Sequence, residues 1–407
     1  MSIKPINSVK KFKAFTQKIQ KGKGYREPLG FGIARVDRGQ LNHDKILQAT
    51  YPVINWKDNY ASAAAFVGAL KESGVGVDFS KSEFVYDVKK KFVKNAFNIF
   101  YPYLKDALGN NHKNVQVVKN LYQISQSEGL EDNFRIVFIF DDEAPKSVES
   151  AYLKLYALSL GKAKLRSLNL TGIFGLLENV AWSLNVPVEL EWLRENEIEL
   201  KLDGAYPYIS SVDKFPRFLQ HVIPTDKVRI LDASKVRMGA QLADGTAVMP
   251  GASYVNFNSG TTGAVMVEGR ISSSVIVGEG SDIGGGASIL GVLSGTNGNP
   301  VAIGKNTLLG ANSVTGIPLG DGCIVDAGVS VLEGTKVFIE KEHLKAILEI
   351  NPDFNFKYNQ NSDVKGYVIK AIELSSLNGI HFRRDSQTGK MLAVRSNRKV
   401  VLNADLH

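Results

Sequence analysis

The residues best suited to chemistry stand together at Glu268-Gly269-Arg270, a carboxylate and a guanidinium separated by one glycine. A carboxylate within hydrogen-bond reach can take a proton from an attacking group. A guanidinium can fork onto a ligand carboxylate in a charge-assisted contact of roughly 1.5–3 kcal/mol. Glu268 also admits a plainer role as a surface residue paired with Arg270, and Gly269 would let a substrate approach the backbone. Further on, Gly284-Gly285-Gly286-Ala287-Ser288 offers either turn glycines or a run of exposed N–H groups able to line a groove. The histidines are His43, His112, His221, His343, His381 and His407, and none falls within 230–337. That stretch has no histidine cluster for a metal ion, and a histidine base activating a hydroxyl is disfavoured there. An amine acceptor asks for less. A neutral amine is already nucleophilic and needs mainly positioning and removal of a proton, which a carboxylate can supply.

What must position these residues is written in a period of six. Ile230, Val236, Leu242, Val248 and Tyr254 share one phase; Ile271, Val277, Ile283 and Ile289 share the next. Ile303 and Leu309 follow, then Leu319, Val325, Val331 and Val337. Glycine often comes directly after, as in Val277-Gly278 and Leu309-Gly310. Such spacing predicts a parallel β-helix with three short strands per coil, one inward aliphatic residue per strand and small residues at the corners. Two intervals, 254–271 and 290–300, break the phase. They are expected to be loops or bulges leaving the solenoid, where such folds place function. After Val337 a short helix is predicted over 342–350, and 364–380 leads into a hairpin at 381–390. The tail is expected to cap an open strand edge.

Residues 1–225 read as a mixed α/β domain, 226–340 as the solenoid and 341–407 as the C-terminal helix-and-hairpin cap. The run Phe134-Arg135-Ile136-Val137-Phe138-Ile139-Phe140 predicts a buried strand. A helix follows Ala144-Pro145, with Val148, Ala151, Tyr152, Leu155, Tyr156 and Leu158 on one stripe. A second helix is predicted over 173–184 from Phe174, Leu177, Val180 and Ala181. Lys21-Gly22-Lys23-Gly24 lacks the spacing of a phosphate-binding fingerprint. The single cysteine, Cys323, excludes an intramolecular disulfide and fits a reducing, cytoplasmic setting. The first residues lack the apolar stretch of a signal peptide, and no run of 18 apolar residues predicts a membrane span. The net charge of +8 comes from scattered groups such as those within 10–23, those within 89–94, and Lys162, Lys164 and Arg166. These read as solvated helix faces rather than a nucleic-acid surface, and a modest positive field suits a polyanionic small ligand such as coenzyme A.

Several motifs carry a resemblance. Arg237-Met238-Gly239-Ala240, Val255-Asn256-Phe257-Asn258, Met266-Val267-Glu268-Gly269-Arg270-Ile271-Ser272 and Gly284-Gly285-Gly286-Ala287-Ser288-Ile289 resemble the tetrahydrodipicolinate N-succinyltransferase family. Leu309-Gly310-Ala311-Asn312-Ser313, Phe382-Arg383-Arg384-Asp385-Ser386 and Leu402-Asn403-Ala404-Asp405-Leu406-His407 extend it. The likeness covers about 228–407, is nearest the longer form found in actinobacteria, and is loose before that. It implies a left-handed β-helix and a homotrimer with sites between neighbouring solenoids. It also implies transfer of succinyl from succinyl-CoA to the amine of ring-opened tetrahydrodipicolinate, in lysine and diaminopimelate biosynthesis. Glu268 matches the family's catalytic glutamate, for which an acyl-anhydride role is one suggestion; general-base chemistry is physically easier. Arg270, Gly285, Ser288, Ala311, Asp326 and Ala327 match positions that contact succinyl-CoA, with Arg383, Arg384 and Ser386 added from the tail. Where actinobacterial members hold magnesium with acidic residues, this chain has Ser234 and Ala252. No magnesium site and no permanently bound cofactor are therefore expected.

Two other readings remain open at this point. An N-acetyltransferase would differ only in lacking a use for Arg270 and Ser288 on a succinyl carboxylate. A non-catalytic trimeric scaffold would have no reason to break phase around Glu268. In a trimer, Glu268 and the 285–288 strip are expected to meet across a subunit interface.

Overall fold

In the computed structural model, residues 3–104, 112–127, 129–130, 132–292, 296, 298–354 and 365–397 are described. The tail motif at 402–407, Val364 and most of the Ser294–Asn297 stretch lie outside them. Backbone contacts divide the chain into two compact units. The first comprises Met1–Ala157 and Ser167–Pro216; the second comprises Leu158–Arg166 and Arg217–His407.

The first unit is built on an antiparallel sheet of β1 (Gly30–Arg38), β2 (Ile46–Thr50), β3 (Ile54–Trp56), β4 (Glu83–Asp87) and β5 (Phe134–Ile139). Its order is β2-β1-β5-β4, with β3 also on β1. The predicted strand at 134–140 is therefore central, and Ile136 to Ile139 are buried. Helices α1 (Val9–Gln20), α2 (Tyr60–Glu72), α3 (Lys90–Ile99) and α4 (Lys113–Ser127) pack against one another in chain order. Phe31, Phe66, Phe92, Phe100 and Phe138 lie in their shared core. The helix predicted after Pro145 is α5 (Val148–Ser159). Its Lys154 is almost fully buried, and the ammonium is satisfied by Asp142 Oδ1 at 2.7 Å and by the carbonyls of Glu143 and Asn169.

The helix expected over 173–184 is corrected. Only Ile173–Leu176 is helical, and Val180–Ser183 is a strand paired antiparallel with Val186–Glu189 and with Ser211–Asp213. Leu184 turns the hairpin at φ 54°. Helical spacing and the β-prone Val180-Ala181-Trp182 run coexist over so short a window, and hairpin pairing decides between them.

The second unit is a parallel β-helix whose coils pass through three sheets of two-residue strands. The inward positions of the first sheet include Val248, Val267, Ile283, Leu309 and Val325, all buried. Those of the second include Val255, Ile271, Ile289, Thr315 and Val331. Thr261, Val277 and Ile303 belong to the third. Corners take the left-handed conformation at Gly286 (φ 71°), Asn312 (φ 56°) and Gly328 (φ 70°), residues that tolerate it.

The interval 254–271 does not leave the solenoid. The chain runs through Val255, Thr261 and Val267 to Ile271, all buried, and the phase break lies in two corners. The corner from Val248 to Val255 is one residue longer than the period, and that from Val267 to Ile271 is two shorter. The aliphatic count missed this because Thr261 faces inward and Tyr254 faces out. Thr261 Oγ1 lies 2.6 Å from Thr246 Oγ1 and accepts from Ala243 N at 3.0 Å. A second interior ladder joins Ser281, Thr307 and Cys323. Thr307 N donates to Ser281 Oγ, and Cys323 N donates to Thr307 Oγ1. Burial pushes the Cys323 thiol up to about 11.

Arg166 departs from the expected solvated face. Its N–H donates to Asn258 Oδ1, and its guanidinium donates to the carbonyls of Ser274 and Val301 at 2.5 Å each. The helix predicted at 342–350 forms at Lys341–Glu349, and the hairpin pairs Ile380–Arg384 with Met391–Arg395. Ile380–Arg384 also runs parallel to Ile324–Val325, extending the first solenoid sheet by one coil. Thr261→Val keeps the volume yet takes the acceptor from the part-buried Ala243 N–H and removes one of the two partners of Thr246 Oγ1, which keeps Gly263 O. It is expected to lower unfolding stability by about 1–3 kcal/mol in denaturant titration.

Candidate active site

The first solenoid sheet sets a column of corner residues. Directly after Val267, Ile283, Leu309, Val325 and Phe382, which align in register, come Glu268, Gly284, Gly310, Asp326 and Arg383. The ladder continues into the corner: Glu268 N donates to Ile283 O, Gly284 N to Leu309 O, Gly310 N to Val325 O and Asp326 N to Phe382 O. One position further are Gly269, Gly285, Ala311, Ala327 and Arg384. With strands about 4.8 Å apart, Glu268 and Asp326 stand roughly 14 Å from one another. Between them the two positions that follow the sheet carry only glycine and alanine, Gly284-Gly285 on one coil and Gly310-Ala311 on the next. Gly284 is bare of necessity, since a methyl group there would come 2.6 Å from Leu309 O. Gly285 is bare without being crowded: the nearest atom to a methyl group there would be Glu268 Oε2, at 3.8 Å.

Glu268 therefore shares one wall with Gly285 within a single chain. Gly269 is also re-read. It is buried, and a methyl group there would run into the Ala287 carbonyl oxygen. The shortened corner needs a glycine to fold, so Gly269 is not an opening for substrate.

Arg270 and Ser288 are register partners facing outward on the second sheet. The guanidinium donates to Ser288 Oγ at 2.7 Å from Nη2 and 3.1 Å from Nε, and stays exposed. A cationic group beside a hydroxyl is suited to a carboxylate. Arg383 and Arg384 are exposed on the hairpin strand, and Ser386 lies in its turn. The tail thus completes a strip that begins with a carboxylate and ends with two arginines.

Counting histidines along the sequence missed His381. It lies outside 230–337, but strand pairing inserts it into the solenoid's first sheet beside Ile324. Its Nε2 lies 2.6 Å from Asp326 Oδ1. Spacing carries no signal for this, because the pairing spans a whole helix and hairpin. Around Ser234 and Ala252 the chemistry does not fit a divalent cation. Neither supplies a carboxylate, and the Lys235 ammonium donates to Gly251 O next to Ala252. Among the described residues no group of three or more His, Cys, Asp or Glu is placed to hold a metal ion.

Known proteins can now be set beside this geometry. Family models match for the N-terminal part of tetrahydrodipicolinate N-succinyltransferase over residues 10–175 and its middle part over 177–217. The hexapeptide repeat of succinyl-transferase matches over 300–333. A 2,3,4,5-tetrahydropyridine-2,6-dicarboxylate N-succinyltransferase from Sulfurovum sp. is 62% identical over 407 residues, all of both chains. One of the same name from Helicobacter pylori is 52% identical, covering 98% of this chain and 100% of the relative. A crystal structure of a 2,3,4,5-tetrahydropyridine-2-carboxylate N-succinyltransferase from Campylobacter jejuni superposes with a TM-score of 0.89. It is 54% identical and covers 97% of this chain and 99% of that one. These matches carry the likeness over the N-terminal residues, where the motifs alone were sparse.

Two neighbouring glycines should part company on substitution. Gly269→Ala is expected to cost about 1–3 kcal/mol through forced overlap, whereas Gly285→Ala should leave the melting temperature within a few degrees of wild type. Scanning calorimetry of both variants checks the contrast.

Proposed function

The chain belongs to the tetrahydrodipicolinate N-succinyltransferase family, and from that membership we propose which of its residues carry the reaction and in what assembly. It is a CoA-dependent acyltransferase that moves a succinyl group from succinyl-CoA to the amine of ring-opened tetrahydrodipicolinate, a step of lysine and diaminopimelate biosynthesis. The observation that carries the residue assignment is the bare corner strip, with Glu268 at one end and Arg383 and Arg384 at the other. Gly285, Ala311, Asp326 and Ala327 line the path of the pantetheine arm, whose extended form suits a strip of about 14 Å or more. Arg383, Arg384 and Ser386 meet the phosphate-bearing end. Arg270 and Ser288 hold the succinyl carboxylate.

Glu268 acts as general base. The amine nitrogen attacks the thioester carbonyl carbon, and the C–S bond breaks as the C–N bond is secured. Glu268 takes the proton from the attacking nitrogen, and that proton passes to the departing thiolate, leaving free CoA thiol and the N-succinyl product. No covalent acyl-enzyme is required. Positioning both reactants against one rigid corner supplies much of the rate.

The assembly is a cytoplasmic homotrimer of left-handed solenoids, each strip facing a neighbouring subunit that completes the cleft. The C-terminal segment at 341–407 caps the solenoid of 226–340, and residues 1–225, which precede them in the chain, form an α/β domain. No helix among the described residues is long and apolar enough to cross a membrane. Partners are small molecules and further copies of the chain, not nucleic acid or membrane.

Glu268→Gln keeps size and removes the base. Thiol release in the presence of succinyl-CoA and acceptor should fall roughly 10²–10⁴-fold, with an unchanged sedimentation coefficient. Near-normal turnover would take Glu268 out of the mechanism. Arg270→Ala should raise the KM for succinyl-CoA by about 10- to 100-fold and that for acetyl-CoA far less. Equal losses with both donors would reduce Arg270 to a support for the fold.

A further inference from the structure

His381 enters the site by strand pairing, and nothing above gives it a task. It sits on the same strand as Arg383 and Arg384, alongside Ile324, with Nε2 2.6 Å from Asp326 Oδ1. The imidazole side chain is 22% exposed and the carboxylate 42%, so the contact lies at the rim of the strip rather than in its core. Asp326 is one ladder step from Arg383, at the end assigned to phosphates. A bare carboxylate there is a liability, because coenzyme A carries several negative charges and like charges a few ångströms apart repel strongly at a partly desolvated surface.

We propose that His381 is a positioning residue for the CoA thioester: by engaging Asp326 it occupies the carboxylate that would otherwise oppose the ligand's phosphates, on the strand that delivers the arginines binding them. The idea rests on the CoA-binding reading of the strip. Its physical content is a coupling. The strand cannot present Arg383 and Arg384 without also bringing His381 onto Asp326, because their spacing along Ile380–Arg384 is fixed by the register Ile324↔His381 and Val325↔Phe382. Anchoring of the strand and engagement of the opposing carboxylate are then one event.

The test separates charge from architecture. His381→Leu is expected to raise the KM for succinyl-CoA about 5- to 20-fold while kcat stays within about twofold and the KM for the amine acceptor hardly moves. With succinyl-pantetheine, a thioester lacking the phosphates, the same variant should behave like wild type. Adding Asp326→Asn to His381→Leu removes the carboxylate and should lower the raised KM by about threefold or more relative to His381→Leu alone. An unchanged KM in His381→Leu overturns the proposal. So does an equal rise with both thioesters, or a double variant that recovers nothing, since each would leave the pair as a strand anchor only. Should His381→Leu fail to fold, Asp326→Asn alone decides: a lowered KM for succinyl-CoA is expected, and a tenfold rise would show that the carboxylate itself holds the ligand. Wild-type protein inert toward succinyl-CoA would instead sink the CoA reading on which the proposal stands.

Discussion

Parallel strands bonded at about 4.8 Å leave no room for a Cβ at several corners where the backbone of one coil turns over the next. Gly269, Gly284 and Gly310 mark three such places along a single edge of the solenoid, where an added carbon would meet the following coil's backbone. The constraint does more than select glycine. An edge that must be bare to stack is also smooth to a ligand, and a linear thioester can lie along it. Glu268 can project over that edge because Gly269 shortens its corner. Folding necessity and ligand access are the same geometry seen from inside and from outside the coil.

Much of this was legible in the chain. Ile283, Leu309 and Val325 recur at six and face inward as expected, and the hairpin and the helix at Lys341–Glu349 lie where turn residues and apolar spacing put them. What escaped followed from two physical facts. Apolar counting assumes a dry core, yet Thr261, Thr315, Ser281 and Thr307 are fully buried because the narrow interior lets their hydroxyls bond one another or a corner carbonyl. A continuous coil through 254–271 thus resembled a departure. Local spacing is also blind to partners far apart in sequence. Spacing puts His381 outside the repeats and Arg166 on a solvated face, whereas strand pairing brings His381 to Asp326 and the solenoid's own carbonyls hold Arg166. At Val180–Ser183 the same blindness favoured a helix over a hairpin.

Of the site, Glu268, Arg270 and the glycine run were readable from residue type and neighbours, whereas their mutual arrangement was not. Glu268 and Gly285 are 17 positions apart in sequence and adjacent in space. That adjacency follows only once the shortened corner is known, since a missing pair of residues shifts every later position on the coil. Arg270 and Ser288, by contrast, are 18 positions apart, one full coil of three sixes, and meet as register partners on successive coils.

The last rung of the first solenoid sheet is supplied out of order. Ile324–Val325 pairs with Ile380–Arg384, roughly fifty-five residues further along, after a helix and three further strands have been laid down. During synthesis at about 5–20 residues per second, that edge waits several seconds, unpaired and open, before its partner leaves the ribosome. An open parallel edge is a template for the same edge on a sister chain. The interval between translating Val325 and translating Arg384 is therefore the moment at which nascent chains are most exposed to mispairing, and a chaperone that shields the edge would have its greatest effect there.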